Sequence, residues 1–433
     1  MTAGRDGAIH PSRVALKPLH PSSRREFLGR TASATALLAL GRNLGRLFAA
    51  ETAPALIAAI EKVVLRRGRD SILPAWFHPR ACVFPGPRGK MALMTLQPIS
   101  GSDFFGPVHW MVAHAPDWKW TEPRVVPALG RVSQADRVEE GVCDVVPEWH
   151  PATQTVLALG HNVFYSGPKF SSDQPPRWPV YTTWRDGSWG ARRKLEWDDP
   201  RGAYIYTNNC GQRVLLPNGD ILLALSFAAR KNQPRSVAGV ICAFDGEALS
   251  VKQVGEPLRH EVGRGLLEPS LAQFGGRFWL TLRAEDSRGY VSASDDGLHW
   301  SPKQPWTWDD GEPLTMSTTQ QHWLAHSEGL FLVYTRKDAA NLHVPRWRAP
   351  LWLAQVDTKN LRLVRASERV VLPLVGDGVN APDDVAYSGN FHPVNVGADE
   401  SWVTDGEIIP KRGWKGDLLL ARIRWAKPNQ LAP

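Results

Sequence analysis

Five segments of this 433-residue chain repeat one short plan at intervals of about sixty residues. They read AHAPDWKW from Ala113, TTWRDGSW from Thr182, CAFDGEAL from Cys242, ASDDGLHW from Ala293 and AQVDTKNL from Ala354. Each runs from a strand-like stretch through a polar turn into a second short strand. A unit of that size cannot bury its own apolar face, so it must stack on its neighbours. Between the segments lie further hairpin patterns. Arg213–Leu225 has an Asn-Gly turn, Leu271–Leu282 has a Gly-Gly turn, and Leu418–Trp425 is a single run at the chain's end that could close a ring. Gly (37) and Pro (35) are spread along the whole chain, which leaves little room for helices of ordinary length. The roughly 370 residues after the first 55 hold about six such units. The expected fold is therefore all-β, a six-bladed β-propeller, with no interior linker to divide residues 56–433 into separate domains.

Residues 1–55 read differently. They carry eight Lys/Arg against three acids, so they supply most of the formal net charge of +8 and leave the remainder nearly balanced. No basic stripe interleaved with aromatics follows, and nucleic acid is not an expected partner. Ser23-Arg24-Arg25-Glu26-Phe27-Leu28 precedes the weakly apolar run Ala32–Leu40. This resembles a twin-arginine export signal, with cleavage after Ala53–Ala55 or nearer Ala50. The export machinery is then a partner, and the mature chain is expected in the periplasm or secreted, without a membrane span. Cys82, Cys143, Cys210 and Cys242 are widely spaced and lack a C-x-x-C, so they read mainly as small buried residues.

The segment Ala293–Trp300 resembles the Asp-box, S-x-D-x-G-x-x-W. In that motif Asp295 would cap the turn, Gly297 would take a positive φ and Trp300 would pack back over the hairpin. Upstream, Glu268-Pro269-Ser270-Leu271 leads through a Gly-Gly hairpin to Arg283 and then to this box. The order is similar to that of the sialidase (neuraminidase) superfamily, particularly its bacterial sialidase-like members, over roughly residues 70–426. The resemblance implies a substrate carboxylate held by three arginines, whose planar forks match it bidentately. Arg283 stands in one of those places, Arg348 or Arg346 (in RWRAPLWLA) in another, and Arg80 (in FHPRA) in the third. Asp103, in GSDFFGP, resembles the family's acid/base. Tyr387, in VAYSGNF, resembles its tyrosine nucleophile, with Glu268 as the activating base.

His322, in QQHW, is a further candidate for the pocket. The histidines show no zinc spacing, and neither a metal nor another cofactor is expected. There is no Gly-rich phosphate loop and no G-x-S-x-G elbow. The reading is an exported exo-α-sialidase-type glycoside hydrolase acting on a terminal acidic sugar of glycans. Two alternatives stay open: a related propeller with other chemistry on an anionic polysaccharide, such as a lyase or another glycosidase, and a non-catalytic carbohydrate-binding propeller.

Overall fold

Alternating apolar and polar residues divided by Gly- and Asp-rich turns give short antiparallel strands, and these dominate the computed structural model, which describes residues 55–72, 75–134, 138–376 and 385–433. The proposed export signal lies outside the described residues. Those that are described form six antiparallel sheets of four to seven strands in a propeller-like, all-β arrangement. Helical residues are confined to single 3-10 turns such as Pro345–Trp347. No helix among the described residues is long and apolar enough to cross a membrane.

Five sheets are built from consecutive strands. Leaving aside the two-residue strand Val132–Ser133, which edges the second sheet, and the other short strands that branch off the main order, their first strands are Ala75–Gly86, Val138–His150, Ile205–Thr207, Leu267–Phe274 and His322–His326. The sixth takes His392–Gly397, Glu400–Gly406 and Leu418–Trp425 from the end of the chain and Ile57–Arg66 from its beginning. Val63 lies opposite Leu420 in that last pairing. The edge that Leu418–Trp425 would otherwise leave open is thereby covered.

The five repeated segments all fall in one place, the connection from the third strand of a sheet to its fourth. In the best-formed one the capping differs from expectation. Asp296 Oδ1 accepts from the backbone N–H of Leu298 and of His299, both at 2.8 Å, and Ser294 Oγ accepts from Gly297 at 2.9 Å. Asp295 points outward to Arg277 at 2.6 Å, because side chains alternate along a strand and its neighbour faces the turn. Gly297 does take a positive φ, 77°.

Apolar clusters fill the spaces between successive sheets. Trp279 and Val291 of the fourth sheet pack with Trp323, Leu332 and Trp352 of the fifth. Val83 and Ala92 of the first meet Trp402 and Leu420 of the sixth. The four cysteines are free and buried in these layers or at the strand ends.

Candidate active site

The first strands of three sheets share an irregularity that shapes one rim of the molecule. Their registers break between Phe77 and Arg80, between Cys143 and Val146, and between Leu267 and Ser270. Each break contains a residue in the left-handed region, His78 (φ 53°), Asp144 (φ 57°) and Glu268 (φ 44°). Asn209, just after Ile205–Thr207, adopts the same conformation with φ 52°. A bulge inserts one residue and re-aims its side chain. All four side chains line a single cavity of about 360 Å³. In antiparallel pairing the start of a first strand, the end of the second and the start of the third share one edge. The loops at that edge bring in the other cavity residues.

Asp103, Glu268, Tyr387, Arg283, Arg346 and Arg348 all line this cavity. Asp103 sits in the turn after Gly89–Gly101 with φ 52°. Burial raises its carboxyl above the usual range, Asp144 and Glu268 add to that, and Arg348 and Arg346 oppose it. Arg283 ends its strand and donates from Nη1 to Glu268 Oε1, with Nε donating to Thr318 Oγ1 at 3.2 Å. Arg348 Nε donates to the Ser388 carbonyl at 2.7 Å. Burial and the neighbouring Arg346 push Arg348 down to about 10. Arg346 donates to the Thr318 carbonyl.

Two expected ligand-binding side chains lie outside the cavity. Arg80 is fully buried beneath it and donates to Asp144 Oδ1 at 2.8 Å and Gln320 Oε1 at 3.3 Å. The bulge is the reason: it turns His78 into the cavity and leaves Arg80, two residues on, facing the packed centre. His322 is also fully buried, with Nδ1 3.0 Å from Ser270 Oγ and its ring against Phe391 and His392. It begins a regular strand with no bulge to re-aim it. Tyr387 and Glu268 are both present but not joined. Glu268 is held by Arg283, and the charged neighbours of the Tyr387 hydroxyl are Lys411 and Arg348. Burial raises that phenol above its ordinary value.

Sequence reasoning missed several cavity residues. Arg177, Arg235 and Arg264 contribute three more guanidinium groups. A signal for two of them was available, since Pro176-Arg177 and Pro234-Arg235, like Pro345-Arg346, come just ahead of the third strand of a sheet. Cys143, Asp144 and His161 form a compact group, each offering a ligand atom within 4.8 Å of the others. Burial holds His161 down at about 3 and His78 at about 4, so both rings are neutral at pH 7. Burial also keeps the Cys143 thiol protonated. The Asp144 carboxyl lies below the usual carboxylate range despite burial; with both rings neutral at pH 7, the charge that holds it ionised there is that of Arg80, which donates to it at 2.8 Å. The donor types suit a transition metal, but a protonated thiol and the adjacent Arg80 and Arg177 oppose a cation there. The cavity as a whole favours an anion.

Solved structures that superpose on this chain include sialidases. The Trypanosoma rangeli sialidase superposes with a TM-score of 0.56 at 13% identity, over 85% of this chain and 60% of that one. The same enzyme in complex with sialic acid gives 0.55 at 13%, over 86% and 60%. A Hadza microbial sialidase gives 0.55 at 11%, over 84% and 68%. The fold is sialidase-like. At these identities the likeness concerns the fold alone, and this chain spans only 60% of the length of the trypanosomal enzyme. No protein-family model matches the chain, and no curated protein does.

Proposed function

We propose that this protein is an exported glycoside hydrolase of the sialidase type, acting on a terminal acidic sugar, and that its six sheets are the six blades of a closed propeller. One observation carries the reading: a cavity of monosaccharide scale lined by arginines also contains Asp103, a carboxyl raised by burial. Arg283, Arg346 and Arg348 would hold the sugar's carboxylate. Asp103, protonated, would give its proton to the departing glycosidic oxygen as the bond from the anomeric carbon breaks. The Tyr387 oxygen would bond to that carbon, its proton passing to Glu268, and water would then release the sugar with Asp103 acting as base. For this the Glu268 carboxylate must exchange Arg283 for Tyr387 when substrate enters. The twin-arginine motif supports export to the periplasm or beyond, with residues 1–55 as leader.

The Glu268–Arg283 pairing favours a second reading, the same cavity with other chemistry on an anionic polysaccharide. Release of a fluorophore from an aryl sialoside tests the first. The wild type should turn it over, and Asp103→Asn should lower kcat by about 100-fold or more, with Tyr387→Phe also losing turnover. An unsaturated, ultraviolet-absorbing product from a uronic-acid polymer, with no fluorophore released, would favour the second.

A further inference from the structure

The cavity has more positive charge than one carboxylate requires. Arg283, Arg346 and Arg348 come from the fourth and fifth sheets. Arg177, Arg235 and Arg264 come from the second and third sheets and the loop entering the fourth. The backbone places this second group together. Arg235 N donates to the Arg264 carbonyl at 2.9 Å, and Leu266 N donates to the Arg235 carbonyl at 2.9 Å. Arg177 pairs in the same way with the segment entering the third sheet, through Tyr204 and Tyr206.

Only Arg264 in this group has a carboxylate partner. Its Nε and Nη2 donate to Glu285 Oε1 at 2.9 and 2.6 Å. Among the described residues no carboxylate lies within 4.0 Å of Arg177 or Arg235. The cavity carboxylates whose charge reaches these two arginines, Asp144 for Arg177 and Glu268 for Arg235, are already paired with Arg80 and Arg283. Both free arginines are half-buried. Burial and mutual repulsion push Arg235 down to about 9, and Arg177 falls as well. Half-buried cations without counter-charge destabilise a fold unless a ligand supplies it.

We propose that Arg177 and Arg235 form a second anion subsite, so that the sugar taken by this cavity carries two oxyanionic groups. One lies against Arg346 and Arg348, and the other, a sulfate or a second carboxylate, against Arg177 and Arg235. Planar guanidinium forks suit either group. The inference rests on the acidic-sugar reading and narrows its substrate class.

Calorimetric titration of the full mature chain tests it with four probes: sialic acid, O-sulfated sialic acid, a sialic acid bearing a second carboxylate, and inorganic sulfate. The wild type should bind one of the dianionic sugars at least about ten-fold more tightly than sialic acid, equivalent to one decade in Kd. Whichever dianion wins identifies the second group. Arg177→Gln and Arg235→Gln should each collapse that ratio towards one, whereas Arg348→Gln should weaken mono- and dianionic sugars alike and keep the ratio. Removing an uncompensated cation should also raise the Tm of the ligand-free protein. Equal wild-type affinities for one and two charges overturn the subsite, as does a preference that survives the double variant. Loss of preference together with a lower Tm does so too, since it marks the arginines as structural. Sulfate bound through Arg177 and Arg235 while sialic acid is not bound would keep the subsite and overturn the acidic-sugar reading. Binding of no probe overturns both.

Discussion

Asp405 is a buried carboxyl whose ionisation opposes the fold. It is fully buried near Arg348, and burial raises its carboxyl to about 6 despite the opposing influence of Ser388 and Arg348. A group with a folded pKa above its unfolded value near 3.9 binds protons more readily when folded. Its contribution to stability is therefore complete below about pH 4 and is lost as pH rises through 6. About two units correspond to about 3 kcal/mol. Asp405→Asn should flatten the stability curve between pH 4 and 6, as followed by urea unfolding at a series of pH values. An unchanged slope there would show that Asp405 is not the titrating group. Arg80 teaches a related lesson. Its guanidinium is committed to Asp144, so the charge of FHPRA supports the cavity floor instead of meeting a ligand.

Elements decide what the cavity contains. The bulges at His78, Asp144 and Glu268 convert strands that would present packed residues into strands that present polar ones at the rim. On the opposite side of the sheet, turns such as Ser294–Trp300 fix the third-to-fourth connection. Asp296→Ala removes two backbone hydrogen bonds to a carboxylate and should cost about 1–2 kcal/mol, measurable as a lower denaturant midpoint. Asp295→Ala removes only an exposed pair with Arg277, and should change stability by less than about 1 kcal/mol. A larger loss for Asp295→Ala would contradict the capping assignment.

At the scale of the described residues, the first and last strands are joined in one sheet. Ile57–Arg66 hydrogen-bonds along Leu418–Trp425, and its Ile57, Ile60 and Val64 side chains pack against the layer of Leu419, Ala421 and Ile423. Cleavage at either proposed leader site, near Ala50 or Ala55, leaves this strand in the mature chain. A chain beginning at residue 67 would expose the edge of Leu418–Trp425 and lose that burial. It should unfold at lower temperature in a less cooperative transition and associate in size-exclusion chromatography. Wild-type melting in the shortened chain would count against this strand pairing as a source of stability.

Much of this was legible in the chain itself. The sixty-residue period, the alternating runs and the turn residues determine short antiparallel strands, because strand pairing and turn chemistry depend on neighbours close in sequence. Glu268, Arg283 and the box that follows are visible for the same reason, lying within one sheet. Which side chains meet in the cavity was decided by tertiary structure. A one-residue bulge exchanged Arg80 for His78, and parity along a strand exchanged Asp295 for Asp296. Arg177 and Arg235 precede strands of two different sheets, and the sequence does not say how those sheets pack together. A period-two pattern says that a side chain alternates, but only the register and the neighbouring sheets say which face opens on the cavity.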